Sequence, residues 1–238
     1  MPKVSYLITV STETDTLRKL LSIVGTVVKN SDDEVIVLID SEAKDNQETK
    51  NILSEFAVKM GYEMIEKKTC KVLEHPLDRN YGAHKNFGIE RSSGDFIFQI
   101  DGDEYPPDAL IGENLHALLE ANPTMEAYAV PRINDFRGVT PQHAAQWGWK
   151  LTVSPTFKRP VVNYPDFQFR IFKREYPRIS FNRRLHEKIE GYLTYVCLPQ
   201  DEEYALYHDK TIETQVKTNL RYNQVFTQAE NQGHSVFK

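Results

Sequence analysis

Apolar positions along this chain fall into two alternating rhythms. Lys3–Val10 and Glu34–Asp40 are short, near-continuous runs of β-branched, aromatic and aliphatic residues, the pattern of strands covered on both faces. Between them Leu17, Leu20, Leu21, Val24, Val27 and Val28 recur at helical spacing and predict a helix ending near Asn30. Ile52, Leu53, Phe56 and Met60 predict a second helix from Asp45 to Met60, closed by Gly61 and followed by a short strand around Tyr62–Ile65. A third helix opens at Gly82, breaks at Ser92-Ser-Gly94 and feeds an apolar strand from Phe96 to Ile100. A last helix is expected from Thr211 to about Gln232, through Ile212, Val216, Leu220, Val225 and Phe226. This alternation predicts an α/β fold: a doubly wound, mostly parallel sheet with right-handed crossovers and helices on both faces.

Open sheets of this kind collect their ligands at the carboxyl ends of the strands. Three such ends carry polar groups here: Thr9–Glu13, Asp40 and Asp101–Glu104. Asp101-Gly-Asp103 places two carboxylates on one tight turn, and like charges that close call for a cation. Asp40 reads either as a turn or capping residue or as an acceptor for a nucleotide base or ribose hydroxyl. Lys85, in the first turns of the Gly82 helix, reads either as part of an anion site or as an ordinary surface lysine.

Composition narrows this picture only a little. The 238 residues, 40% hydrophobic and 26% charged, suit one α/β domain with a sizeable core. No run approaches the ~18–20 apolar residues of a membrane span, and no signal-peptide core is seen at the N-terminus. Cys70 and Cys197 fit no metal spacing. A cytoplasmic protein with free thiols is therefore expected. The net charge of −5 is uneven: residues 1–110 hold 13 basic against 20 acidic side chains, and residues 158–188 hold 9 against 3. That basic block, interleaved with aromatic residues, is either a solvated face or a site for a diphosphate, a phosphorylated glycan or nucleic acid. In residues 132–164, Gly138, Pro141, Pro155 and Pro160 break regular structure around Trp147, Trp149 and Phe157. Those rings either stack on acceptor sugars or bases or form a buried pair.

Four stretches in order carry a more specific message. They are Thr9-Val-Ser-Thr-Glu13, Val35-Ile-Val-Leu-Ile-Asp40, Asn80-Tyr-Gly-Ala-His-Lys-Asn86 and Ser93-Gly-Asp-Phe-Ile-Phe-Gln-Ile-Asp-Gly-Asp103. Together they resemble the family-2 glycosyltransferases of the GT-A fold. Pro165-Asp-Phe-Gln-Phe-Arg-Ile-Phe-Lys-Arg174, Leu185-His-Glu-Lys-Ile and His208 resemble one branch of that family, which includes lipopolysaccharide-core and peptide-modifying transferases. The chain departs from the family where the base-carrying helix usually holds Glu-Asp, because only His186-Glu187 stands there.

The resemblance implies a single Rossmann-like GT-A domain over 1–238, with a nucleotide-sugar half (1–110), an acceptor and catalytic half (111–210) and a C-terminal helix (211–238). That helix is expected to pack back over the site or to mediate self-association. The implied activity is a metal-dependent, inverting transfer from a nucleotide-diphospho-sugar, a UDP-sugar, to a hydroxyl of a glycan or glycolipid. Thr9, Ser11, Glu13, Asp40, Lys85, Asp101, Gly102 and Arg170 are expected around the donor, with Arg174 as an alternative to Arg170. Asp101, Asp103 and His208 are expected to hold Mn²⁺ or Mg²⁺, with Glu104 behind them. Glu187 is the first candidate for the base and Asp166 the second. Rival readings are a phage-type transferase acting on hydroxymethylated nucleic-acid bases, a nucleotidyltransferase, and a non-catalytic nucleotide-sugar-binding module. Ser11-Thr-Glu-Thr-Asp15 lacks the Gly-rich basic loop of nucleotidyltransferases.

Overall fold

The computed structural model describes residues 1–28, 31–60, 70–153 and 160–231. The strand expected around Tyr62–Ile65, and Phe157 of the aromatic stretch, lie outside them.

Both near-continuous apolar runs are strands. β1 (Val4–Val10) and β2 (Glu34–Asp40) are buried along almost their whole length, as expected where helices cover both faces. They pair in parallel, and β1 pairs in parallel on its other side with β4 (Phe96–Asp101). α1 (Asp15–Val28) links the first two strands and buries Leu17, Leu20, Leu21, Val24 and Val28. α2 (Gln47–Met60) follows β2, burying Ile52, Leu53 and Phe56. α3 (Tyr81–Arg91) then leads into β4, its first turn capped by Asn80, which accepts from the amide of Ala83.

A strand that the apolar pattern does not predict, β3 (Cys70–His75), pairs with β2 at the sheet edge. Its alternating burial explains why no continuous apolar run marks it. Beyond β4 the sheet continues through β10 (Gln168–Lys173), β6 (Ala127–Val130) and β13 (Tyr195–Cys197). Among the described residues it has seven strands in the order β13-β6-β10-β4-β1-β2-β3, with β10 antiparallel to both its neighbours.

A second sheet closes the carboxyl edge. β5 (Glu104–Tyr105), directly after the acidic turn, pairs with β14 (Leu206–Thr211), which runs parallel to β7 (Arg132–Arg137). β9 (Pro160–Val162) and β8 (Leu151–Val153) complete it. Residues 132–153 and 160–164 are thus more regular than their Gly and Pro content suggests. β7 leads into α5 (Pro141–Trp147), which has Thr140 as N-cap, Pro141 at its start and left-handed Gly148 at its end. β11 (Ser180–Asn182) and β12 (Lys188–Glu190) form a hairpin against α3. α4 (Gly112–Ala121) packs Leu115 and Leu119 into the core, and α6 (Ile212–Val225) is the last helix. No helix among the described residues is long and apolar enough to cross a membrane. Cys70 is buried and Cys197 exposed, and both are free thiols.

Candidate active site

The predicted strand ends converge. Thr9 and Asp101 are register partners at the ends of β1 and β4, and the Thr9 hydroxyl donates to Asp101 Oδ1 at 2.8 Å. Gln99, fully buried on β4, donates to the same oxygen at 2.8 Å. Lys85 Nζ lies 2.9 Å from it, and Arg170 Nη2 lies 2.7 Å from Oδ2. Both oxygens of Asp101 are therefore engaged by protein donors. Burial opposes its ionisation, but Arg170 and Lys85 outweigh burial and hold its carboxyl well below the usual carboxylate range. Gly102 sits so close to Val10, Glu13 and the Thr9 carbonyl that a Cβ there would come within 2.9 Å of Val10 Cγ1.

From Asp101 a ladder of alternating charge runs through the site. Arg170 also reaches Glu104 Oε1 at 2.6 Å and makes a short bond to Gln99 Oε1. Glu104 accepts from Arg132 Nη1 at 2.9 Å, and Arg132 grips Asp166 Oδ2 through Nε and Nη2 at 3.0 and 2.5 Å. Asn134 and Gln168 each donate to Asp166 at 2.9 Å. Burial would raise the Asp166 carboxyl, but Arg132 and the amide donors keep it low. This surrounds Asp166 with donors, an arrangement that suits a positioning carboxylate better than a proton acceptor. Lys85 and Arg170, expected on the diphosphate, are instead internal cations of this ladder, each buried and paired with two carboxylates. Arg174 is exposed and donates to the Gly94 carbonyl at 2.7 Å, at the start of β4 rather than at its acidic end.

Asp103 sits apart from Asp101. Its Oδ2 lies 2.6 Å from Lys210 Nζ and 3.3 Å from His208 Nε2. The state of that imidazole follows from its neighbour. Asn134 donates its amide to Val162 O and Asp166, so its oxygen faces His208 Nδ1, at 2.7 Å, and accepts the Nδ1 proton. Burial lowers the His208 pKa, which favours the neutral ring, and in that tautomer Nε2 turns a lone pair toward Asp103. A carboxylate and an imidazole lone pair aimed at one space are a donor set that fits Mn²⁺ or Mg²⁺, with Asn134 fixing the ligand as a second-layer partner does. Among the described residues no three His, Cys, Asp or Glu side chains form a closed cage. The remaining ligands would come from the substrate and water.

Glu187 lies between β11 and β12, in a loop with left-handed backbone at Arg183 and His186. Its Oε1 accepts from Lys85 Nζ at 2.5 Å, which ties it through one ammonium to Asp101. The start of α3 is pressed against this loop: a Cβ on Gly82 would lie 2.5 Å from the Arg183 carbonyl. α6 covers the other side. Its Tyr222 ring meets Tyr81 and His186 edge-on, and Arg221 donates to the Tyr81 hydroxyl at 3.1 Å. α6 thus packs against the start of α3 and the Glu187 loop.

The remaining donor-side candidates are placed as turn residues. Glu13 accepts from the Ser11 amide at 2.6 Å, and burial followed by the Asp103 charge raises its pKa. Asp40 Oδ1 accepts the amides of Glu42 and Leu77 at 3.0 and 3.1 Å, joining the ends of β2 and β3. Lys158 and Arg159 of the basic block lie outside the described residues, and among the described ones the block does not form one patch. Arg178 pairs with Glu126 and Glu175, Arg184 with Glu230, and Arg170 points inward. Trp147 and Trp149 are half-buried and touch each other, with ring centroids 4.6 Å apart.

Sequence reasoning missed Gln99, Arg132, Asn134 and Lys210. Two of them left a signal. Gln99 is a lone polar residue in an apolar strand, and Lys210 is two residues past His208 on one strand, hence on the same face. Arg132 and Asn134 acquire meaning only through the pairing of β7 with β14.

A model of the family described as Glycosyl transferase family 2 matches residues 5–183. No curated protein sequence matches the chain significantly. Among solved structures, Staphylococcus aureus TarS 1-349 in complex with UDP-GlcNAc superposes with a TM-score of 0.52 at 14% identity, covering 88% of this chain and 58% of that one. A mannosyltransferase from Pyrobaculum calidifontis in complex with GDP-Man and Mn²⁺ superposes with a TM-score of 0.53 at 15% identity, covering 87% and 56%. The chain thus spans under two thirds of the length of these structures, and the likeness establishes the fold.

Proposed function

The chain belongs to glycosyl transferase family 2, and from that premise we propose that it moves a sugar from a nucleotide-diphospho-sugar to a hydroxyl of a glycan or glycolipid, with inversion and with Mn²⁺ or Mg²⁺. The donor half is residues 1–110, and UDP-sugars are the first donors to test. The observation that carries this reading is the pairing of Asp103 with a His208 whose tautomer is fixed by Asn134, at the carboxyl end of β4. Similar folds hold UDP-GlcNAc in one case and GDP-Man with Mn²⁺ in another, which supports a nucleotide-sugar donor.

Charge supports the metal. Lys85, Arg132, Arg170 and Lys210 stand against Asp101, Asp103, Glu104, Asp166 and Glu187, and each of the four cations is already paired. A polyanionic diphosphate entering such a site needs added positive charge. Asp103 and His208 would hold the divalent ion, which when bound supplies Lewis-acid neutralisation of the leaving diphosphate.

The protein's own part is positioning and proton transfer. Glu187 takes the proton of the acceptor hydroxyl as that oxygen forms its bond to the anomeric carbon and the bond to the diphosphate breaks. Lys85 holds Glu187 in place by bridging it to Asp101, which Thr9, Gln99 and Arg170 fix from the sheet side. Asp166 acts indirectly, orienting Arg132 and Asn134. The half-buried pair Trp147 and Trp149, joined through Phe136 to His208, supports an acceptor side formed by residues 132–153.

The test is a thermal-shift titration of UDP with and without Mn²⁺, followed by donor hydrolysis. UDP should stabilise the wild type only with the metal, and D103N and H208A should lose that stabilisation. Equal stabilisation by UDP in a chelator would refute the metal role.

A further inference from the structure

We infer that Lys210 is a movable cation: it neutralises Asp103 in the nucleotide-free protein, gives way when a divalent ion enters, and then contacts the donor diphosphate. The inference rests on the metal reading of Asp103 and His208 given above.

The argument begins with how differently the four cations of the site are held. Lys85 is buried and bridges Asp101 and Glu187 at 2.9 and 2.5 Å. Arg170 bridges Asp101 and Glu104 at 2.7 and 2.6 Å. Arg132 bridges Glu104 and Asp166 at 2.9 and 2.5 Å. Moving any of these would strand two carboxylates in a poorly solvated place, so they stay. Lys210 makes its one ion pair among the described residues with Asp103, at 2.6 Å. Its side chain keeps 19% exposure, and four methylenes let the ammonium swing without moving β14.

The second point is which oxygen Lys210 occupies. It lies on Asp103 Oδ2, the same oxygen that His208 Nε2 approaches at 3.3 Å. An ammonium and a divalent ion cannot both hold that oxygen at ligand distance, because like charges there repel. Residue alternation on β14 sets the two side chains on one face, so the displaced ammonium remains beside the metal. Glu13, near both Asp103 and Lys210, already accepts the Ser11 amide at 2.6 Å, which leaves it a weaker alternative partner. An incoming diphosphate is the strong one. Lys210 thereby makes metal and nucleotide binding cooperative: alone, the metal must expel an ammonium with nowhere to go, and together with the diphosphate it does not.

Isothermal titration of Mn²⁺ into wild type, K210M and K210Q, each without nucleotide and with saturating UDP, tests this. K210M keeps the apolar stem and K210Q a polar tip, and circular dichroism confirms the fold of each. Without nucleotide both variants should bind Mn²⁺ about tenfold tighter than wild type, the ~1.4 kcal/mol of a displaced charge-assisted contact. With Mn²⁺ saturating, both should bind UDP about tenfold more weakly while uridine binding is unchanged. Mn²⁺ affinity that does not rise in either variant without nucleotide overturns the inference. D103N separates this from the underlying reading. If D103N abolishes UDP-dependent Mn²⁺ binding and the Lys210 variants behave as wild type, only the Lys210 inference fails. If wild type with UDP binds no Mn²⁺, both fail.

Discussion

Replacing Asp166 with Asn separates two roles that a carboxylate can play here. Asp166 Oδ2 accepts three donors, Arg132 Nε, Arg132 Nη2 and Asn134 Nδ2, while Oδ1 accepts from Gln168. The amide of Asn can keep its oxygen toward Arg132 and turn its NH₂ toward Gln168, whose own amide can flip to accept it. What cannot be kept is the charge. Breaking one partner of a buried ion pair costs about 3–5 kcal/mol. Here the two side chains keep 19% and 26% exposure and Arg132 retains Glu104, so the expected loss falls below that range, at ~2–3 kcal/mol. In a chain of this size ~1 kcal/mol shifts Tm by ~2–4 °C, so D166N should melt ~4–12 °C lower. Asn134 still donates to Val162 O, so the His208 tautomer and Mn²⁺-dependent UDP binding should stay near wild type. The assays are thermal melting, calorimetric binding and donor turnover below the variant's melting range. An unchanged Tm together with a turnover loss of ~100-fold or more would show that Asp166 is the base and refute the positioning role.

Three further outcomes follow from the same geometry. E187Q should lower turnover by ~100- to 10,000-fold with UDP binding near wild type, since it removes the proton acceptor and leaves Lys85 its Asp101 partner; retained turnover moves the base elsewhere. G82A should destabilise by ~1–3 kcal/mol, because its Cβ would meet the Arg183 carbonyl at 2.5 Å, and a Tm equal to wild type would show that the Glu187 loop yields freely. Stability should fall as pH is lowered through the unfolded carboxylate range, where the free value is 3.8. Asp101, Asp103 and Asp166 bind protons less readily folded than unfolded, so their contribution is complete at neutral pH and lost on acidification. Glu13, raised, acts in the opposite sense. Urea unfolding from pH 7 to 3 measures the slope, which D166N should flatten.

The amino-acid sequence by itself determined the frame. Val35–Ile39 is apolar without interruption and Phe96–Ile100 is broken only by Gln99, and only a strand covered on both faces keeps such a run from water, so β2, β4 and their crossover helices were legible. The acidic turn after β4 stood out by its place at a strand end, and the His186-Glu187 pair only through the family resemblance. β3 was not, because an edge strand buries alternate residues and presents no continuous signal. Residues 132–153 were misread as broken, since Gly138, Pro141 and Gly148 serve there as loop, helix start and cap. The tertiary structure alone decided the division of labour among the charged residues. Asp101 and Asp103 are identical in type and two positions apart. Arg170 and Lys85, distant in sequence, hold the first, whereas His208 and Lys210 face the second. Local periodicity reports burial, but whether a carboxylate is spent on an internal ion pair or available to a ligand depends on charges the fold brings within ~3 Å, and no spacing along the chain encodes that distance.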